Sequence, residues 1–292
     1  MAMTSLHAEK QFEISSNRLY AQVCPSMGGR LLKLAVVDGP DILVPAEPQS
    51  FDTLTWPRGG AYPLVPYHNR IEGGRLVVGA ETFDLPPHPA AMPHTLHGPG
   101  HTKPWQLVEH TPSRLVMRLS YDRDDHWPWA FEAFQDFELE GNVLTLALTL
   151  KNLDDRPMPG GLGWHPYFAS PDPVSVDAKY RWPHGDDYLP LGDRVPVTNR
   201  QSTKYLPTQY LQDWTEAEIR NVDGFRSRVT ATSAFMGLVV HRGDPAHICV
   251  EPVSHIANAW NLKDEPEMTG AKIMLPGEVL EGVVRVEVMQ AG

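Results

Sequence analysis

From Phe134 to Asn152, apolar and polar side chains alternate with a period of two, interrupted once by Gly141-Asn142. Leu144, Leu146, Leu148 and Leu150 fall on one face, and Thr145, Ala147, Thr149 and Lys151 on the other. That period belongs to half-buried strands, and a Gly-Asn step between two such runs is hairpin-turn chemistry. The spacing predicts strands over Phe134–Glu140 and Val143–Asn152, joined as a hairpin. The same alternation predicts strands over Arg114–Tyr121 and Val283–Met289, while the evenly apolar Ala234–Val240 reads as a central strand. Only Leu211–Val222 reads as a short helix.

Other features agree with an all-β chain. The 23 Gly and 28 Pro, roughly one residue in six, resist helix interiors and exclude a coiled coil or helical repeat. Pro-rich connections are too short and apolar to be flexible linkers, so residues 1–292 are expected to form a single large β-sandwich with very little helix. Its ligands would be held by loops and strand ends. Lys and Arg number 25 against 36 Asp and Glu, a net charge of −11, which argues against a nucleic-acid or anionic-membrane partner. No apolar run reaches the roughly 18 residues of a membrane span, and no leader pattern opens the chain, so a cytoplasmic protein is expected. Cys24 and Cys249 form no CxxC and read as two buried thiols.

Five polar clusters sit among Gly, Pro and aromatic residues. Asn69-Arg70-Ile71-Glu72-Gly73-Gly74 offers an amide that donates and accepts beside a rigid fork of donors, which suits vicinal hydroxyls. His94, His97 and His101 stand at i, i+3 and i+7, but Gly98-Pro99-Gly100 breaks any helix that would align them, and His88 lies further upstream. No metal is expected there, and none elsewhere; no cofactor is expected either. In Gly163-Trp164-His165-Pro166-Tyr167-Phe168 a histidine sits among aromatics of the kind that pack on a sugar ring. Asp213 is an acceptor beside Trp214, and taken alone its default reading is a capping or surface carboxylate. Glu251 ends an apolar run, which predicts a carboxylate at the mouth of a strand with its pKa raised by burial.

The order Asn69-Arg70-Ile71, His97-Gly98, Trp164-His165-Pro166-Tyr167-Phe168, Asp213 and Val250-Glu251-Pro252 resembles the aldose 1-epimerase (galactose mutarotase) family, over roughly residues 15–285. The resemblance implies a β-supersandwich with one open cleft. It implies that Glu251 takes the proton from the anomeric hydroxyl, that His165 protonates the ring oxygen, and that the two straddle the sugar. His97 would hold the oxygens near C1 and C5, with Asn69, Arg70 and Asp213 on other hydroxyls. The partner implied is a small-molecule sugar, a free aldohexose whose anomers are interconverted without metal or redox chemistry; the oligomeric state stays open. The family's Asn ahead of His-Gly is replaced here by a stretch carrying His88 and His94. Three other readings are a hexose-6-phosphate 1-epimerase, which needs extra basic residues such as Arg30, Arg75 or Lys103 at the cleft, a non-catalytic carbohydrate-binding protein, and a metal-dependent sugar isomerase.

Overall fold

A computed structural model describes residues 10–48, 51–55, 58–197, 201–202, 207–263 and 265–291. The first half of the chain contributes β1 (Phe12–Ser15), β2 (Leu19–Cys24), β3 (Arg30–Val36), β4 (Ala61–Pro63), β5 (Arg75–Val78), β6 (Glu81–Asp84), β7 (Gln106–His110), β8 (Arg114–Tyr121), β9 (Phe131–Glu140) and β10 (Val143–Asn152). The second contributes β11 (Met158–Pro159), β12 (Trp164–Ala169), β13 (Ser175–Trp182), β14 (Val195–Pro196), β15 (Gln201–Ser202), β16 (Thr208–Arg220), β17 (Phe225–Ala231), β18 (Gly237–Asp244), β19 (His247–Val253), β20 (Ile273–Met274) and β21 (Val279–Gln290). Among the described residues the one α-helical turn is Pro266–Thr269, and no helix is long and apolar enough to cross a membrane.

Among the described residues, seventeen strands join in one antiparallel sheet that folds over on itself. One stretch of it runs β7–β8–β9–β10–β21–β17, and the other runs β18–β19–β12–β4–β3–β2–β1. The 13-residue β16 belongs to both: Thr208–Gln212 pair with β18, and Ala217–Arg220 pair with β17. The alternating side chains of both stretches meet in a common core. Leu115, Phe137, Leu146, Leu148 and Val286 from one stretch share a buried cluster with Leu34, Phe168, Val240 and Val250 from the other.

The hairpin forms as its pattern predicts, with Val143 opposite Glu140, and β9 begins three residues earlier than the alternation alone marks. β8 and β21 also carry their alternating residues inward, Leu115, Met117 and Leu119 on one and Val284, Val286 and Val288 on the other. The apolar run read over Ala234–Val240 becomes a strand only from Gly237, flanked by β16 and β19.

The expectation of a helix at Leu211–Val222 is overturned, since this segment lies within β16. Its irregular apolar spacing has a cause. Asp213 adopts φ 54° and donates its N–H to Met236 O at 2.9 Å, so the strand changes partner there and its inward face is not one unbroken alternation.

Leu148 is fully buried on the hairpin's core face, whereas Thr149 points to the other side. Leu148→Ala is expected to lower unfolding free energy by about 2–5 kcal/mol and Thr149→Ser to stay within about 0.5 kcal/mol. Urea denaturation checks both; equal losses at the two positions would contradict the assigned faces.

Candidate active site

Four successive strand pairings place one side chain per strand in a row. Tyr62 on β4 is opposite His165 on β12. Tyr167 pairs with Cys249 and Gly163 with Val253, so the same antiparallel register puts His165 opposite Glu251 on β19. Glu251 pairs with Val239 on β18, and Val239 with Tyr210 on β16. Tyr167, Cys249, His241 and Thr208 form a second row one alternation away. Above this floor lies a cleft of about 400 Å³, lined by Tyr62, Asn69, Arg70, His97, His165, Tyr167, Tyr188, Thr208, Tyr210, His241, His247 and Glu251 among others.

His165 Nε2 and Glu251 Oε1 are 3.3 Å apart, both nearly inaccessible. The expectation that they straddle a sugar is therefore corrected: they stand side by side on one floor, because cross-strand neighbours on one sheet face point the same way. Glu251 is also not at a strand mouth but within β19, two residues before its end.

Burial pushes the Glu251 carboxyl up to about 8. Burial first, and then His241, Arg30 and His101, drive the His165 pKa well below the usual imidazole range. Both shifts favour the uncharged arrangement, a carboxylic acid against a neutral imidazole, so the pair holds one proton between them at neutral pH. The aromatic surroundings supply the desolvation. The His165 ring is stacked on Tyr62 at 4.6 Å and on Tyr167 at 4.8 Å.

The loops over the floor are locked to each other. Asn69 and His97 both take left-handed backbone conformations, at φ 58° and 59°. Asn69 N–H donates to His97 Nδ1 at 3.0 Å, and His97 N–H donates to Asn69 O at 2.8 Å. Because Nδ1 accepts, the neutral His97 ring carries its hydrogen on Nε2. Gly98 follows because a Cβ there would lie 2.4 Å from Val65 O. Asn69 Oδ1 accepts from Arg70 Nη1 at 3.2 Å, Asn69 Nδ2 donates to Tyr210 OH at 3.0 Å, and Arg70 lies 4.4 Å over the Tyr188 ring. Two aromatic rings thus hold the Asn-Arg pair at the rim.

Of the six residues singled out from sequence, the structure brings five together: Asn69, Arg70, His97, His165 and Glu251 all line the cleft. Asp213 is not among the lining residues. It sits at the partner change in β16, its side chain 36% exposed and 3.9 Å from Arg194. The other loop histidines serve the scaffold. His88 Nδ1 accepts from Ala90 N–H, His94 Nδ1 accepts from Gly73 N–H, and His101 is buried beside Tyr62 with its pKa pushed down to about 3.

None of the basic residues considered for a phosphate lines the cleft. Arg30 is fully buried with its guanidinium 4.5 Å over Tyr62, Arg75 is exposed on β5, and Lys103 pairs with Asp124. The guanidinium groups that do line it are Arg58 and Arg70.

Sequence reasoning missed His241, Thr208, Tyr62 and Tyr210. His241 had a legible signal, since it ends the apolar run Leu238-Val239-Val240 as Glu251 ends Ile248-Cys249-Val250. Its ring accepts or donates at Nδ1 to Thr208 Oγ1, 2.8 Å away. The tyrosines had none, because their place depends on strand pairing.

A family model described as aldose 1-epimerase matches residues 10–285. YphB of Escherichia coli K12, a protein of uncharacterised function, is 28% identical over 236 residues, spanning 74% of this chain and 79% of that protein. A solved structure from Escherichia coli K12 superposes with a TM-score of 0.83 at 23% identity, covering 96% of this chain and 99% of that one. A galactose mutarotase-like protein from Clostridium acetobutylicum gives 0.82 at 19% identity, with 95% and 94% covered. The structural likenesses establish the shared fold.

The titrations give a stability profile. His68, His97, His101, His165, His241 and His255 all have pKa values depressed below 6.5, chiefly by burial. They stay neutral folded and take up protons unfolded, so stability falls as pH drops below 6.5. Glu251 works the other way. Its folded pKa is raised, so its contribution is complete below the ordinary glutamate value and is lost as pH rises toward 8, by at most about 1.4 kcal/mol per pH unit. Denaturation of the wild type is expected to show maximal stability near pH 6.5, with the decline toward pH 8 removed in Glu251→Gln. A Glu251→Gln profile that still declines there would contradict the raised carboxyl.

Proposed function

This chain belongs to the aldose 1-epimerase family, and from that premise we propose that it interconverts the α and β anomers of an aldohexose by acid–base ring opening and reclosure. The observation that carries the reading is the buried 3.3 Å contact between His165 and Glu251 on the cleft floor.

The reaction needs one proton removed from the anomeric hydroxyl O1 and one delivered to the ring oxygen O5. Both oxygens are bonded to C1, so the two groups that serve them must be neighbours. Side-by-side placement on one sheet face answers that requirement better than opposed walls do. The single proton of the pair is the stoichiometry the reaction requires. Its transfer across the 3.3 Å contact gives a Glu251 carboxylate and an imidazolium at His165, poised for the two oxygens. Glu251 then accepts the O1 proton as His165 protonates O5, and the C1–O5 bond opens to the aldehyde. Rotation about C1–C2 turns the carbonyl, and reclosure on the other face reverses both transfers. The pair ends with the one proton it began with.

Other lining groups suit the binding of a neutral ring. His97 Nε2–H and Arg70 are donors for hydroxyls, Asn69 fixes Arg70 in place, and the tyrosine edges exclude water. A purely sugar-binding protein has no need for a desolvated acid–base pair, which costs stability to bury. A hexose-6-phosphate 1-epimerase is the second reading, favoured by the Arg58 guanidinium on the cleft wall.

Anomer exchange followed by NMR on freshly dissolved α-galactose, α-glucose and glucose 6-phosphate tests both readings. Glu251→Gln and His165→Asn are each expected to lower turnover by roughly 10²- to 10⁴-fold while sugar binding persists. Asp213→Asn is expected to leave turnover unchanged. A Glu251→Gln protein that keeps most of its turnover would overturn the assignment of the base. Exchange confined to the phosphorylated sugar would favour the second reading.

A further inference from the structure

The acid–base pair has a third polar neighbour that anomer interconversion does not use. Cys249 precedes Glu251 by two residues on β19, so strand alternation turns its thiol to the same face as the Glu251 carboxyl. One ring nitrogen of His165, the Cys249 sulfur and one Glu251 oxygen all lie within 4.8 Å of one another, and all three residues are buried. The other cysteine has no such company: Cys24 packs with Met27, Leu32 and Ala46, its sulfur 3.4 Å from Ser26 Oγ.

We propose that His165, Cys249 and Glu251 form a binding site for a soft divalent cation of the zinc and cadmium class, and that its occupancy holds the acid–base pair out of reaction. Three arguments carry the site.

The first is geometric. Zinc takes nitrogen and oxygen ligands at about 2.0–2.1 Å in a tetrahedron, which sets two such ligands about 3.3 Å apart. His165 Nε2 and Glu251 Oε1 already have that separation. The Cys249 sulfur, within 4.8 Å of both groups, is the third ligand that closes in on the ion.

The second is charge. Bound to the three donors, a dication is matched by one carboxylate and one thiolate, with the imidazole neutral. Two protons leave to solvent, one from the carboxyl and one from the thiol, and no electron is transferred. A desolvated pocket that resists a lone ion accepts this exchange, since the dication is matched by the two anions that form beside it.

The third is selectivity and access. A set of one thiolate, one imidazole and one carboxylate favours zinc or cadmium over magnesium or calcium, which require oxygen ligands. His165 and Glu251 line the open cleft, so an ion reaches them from it, and the fourth tetrahedral position is left for water. Cys249 lies just beneath, packed among Tyr62, Leu64 and Tyr167.

The inhibitory consequence rests on the epimerase reading, whereas binding of the ion does not, and the test separates the two. Anomer exchange on α-galactose and α-glucose is measured for wild type and Cys249→Ser under increasing Zn²⁺, with Mg²⁺ as control. Binding is read independently as the thiolate-to-cobalt charge-transfer absorption on adding Co²⁺ to the full chain. Zinc is expected to inhibit the wild type reversibly, with EDTA restoring turnover and Mg²⁺ inert. Cys249→Ser is expected to retain its exchange activity and to need more than an order of magnitude more zinc. The cobalt band is expected in wild type, absent in Cys249→Ser, and reduced by added sugar.

Equal zinc sensitivity of the two proteins, or no cobalt–thiolate band in wild type, would overturn the site. A wild type without exchange on any sugar but with the cobalt band would refute the epimerase reading and retain the metal site. Should Cys249→Ser fail to fold, the wild-type cobalt spectrum and its displacement by sugar still decide.

Discussion

The chemistry of this cleft depends on the antiparallel register between β12 and β19. Strands in a sheet lie about 4.8 Å apart, and a slip of one residue turns every side chain to the opposite face. Here the register puts His165 against Glu251, and further pairings extend the same row through Tyr62, Val239 and Tyr210 to Trp182. At the other end, Leu31 opposite Ala61 brings Arg30 alongside Tyr62. A buried cation, a tyrosine ring, an imidazole and a carboxyl therefore follow one another across four strands. No loop has to find this arrangement, because ladder hydrogen bonds fix it as the sheet forms. Loops supply the rest: the mutual Asn69–His97 clasp sets the cleft's rim against a floor already built.

Register alone gives a close His–Glu contact; the aromatic surroundings make it a reactive one. Tyr62 and Tyr167 both stack against the imidazole and burial desolvates the carboxyl, so neither group reaches its ordinary pKa. Arg30 adds a positive charge beneath Tyr62, which works against protonating His165. The outcome is a pair that carries one proton, on Glu251 at rest, up to about pH 8. That property serves an anomer exchange in both directions. It also explains why the same three donors suit a dication, which enters as protons leave.

Much of the fold was legible in the residues, and the reason is physical. Period-two alternation in Val143–Asn152 and Arg114–Tyr121 reports one buried face directly, and the strands found there begin and end where the alternation does. The segment at Leu211–Val222 misled because its strand changes partners at Asp213, which scrambles the inward positions. In the site, the loop residues Asn69 and His97 were marked by glycines that the close approach of two backbones requires. His165 and Glu251 stood out as polar groups in apolar runs. Their adjacency was not legible, since it depends on pairing between residues 86 apart in the chain, and the sequence reading set them on either side of the sugar. Asp213 drew notice as an acceptor beside Trp214, but its backbone serves the strand crossing and its carboxylate meets Arg194.

The pH dependence of anomer exchange, measured by magnetisation transfer between α and β signals of one sugar, tests the central claim most directly. A pair that works with one shared proton gives a bell-shaped profile: the rate falls above about pH 8, where Glu251 ionises against a neutral imidazole, and falls again well below pH 6.5, where a second proton arrives. A rate that climbs steadily through pH 8, as for catalysis by a lone carboxylate or by hydroxide, would contradict it.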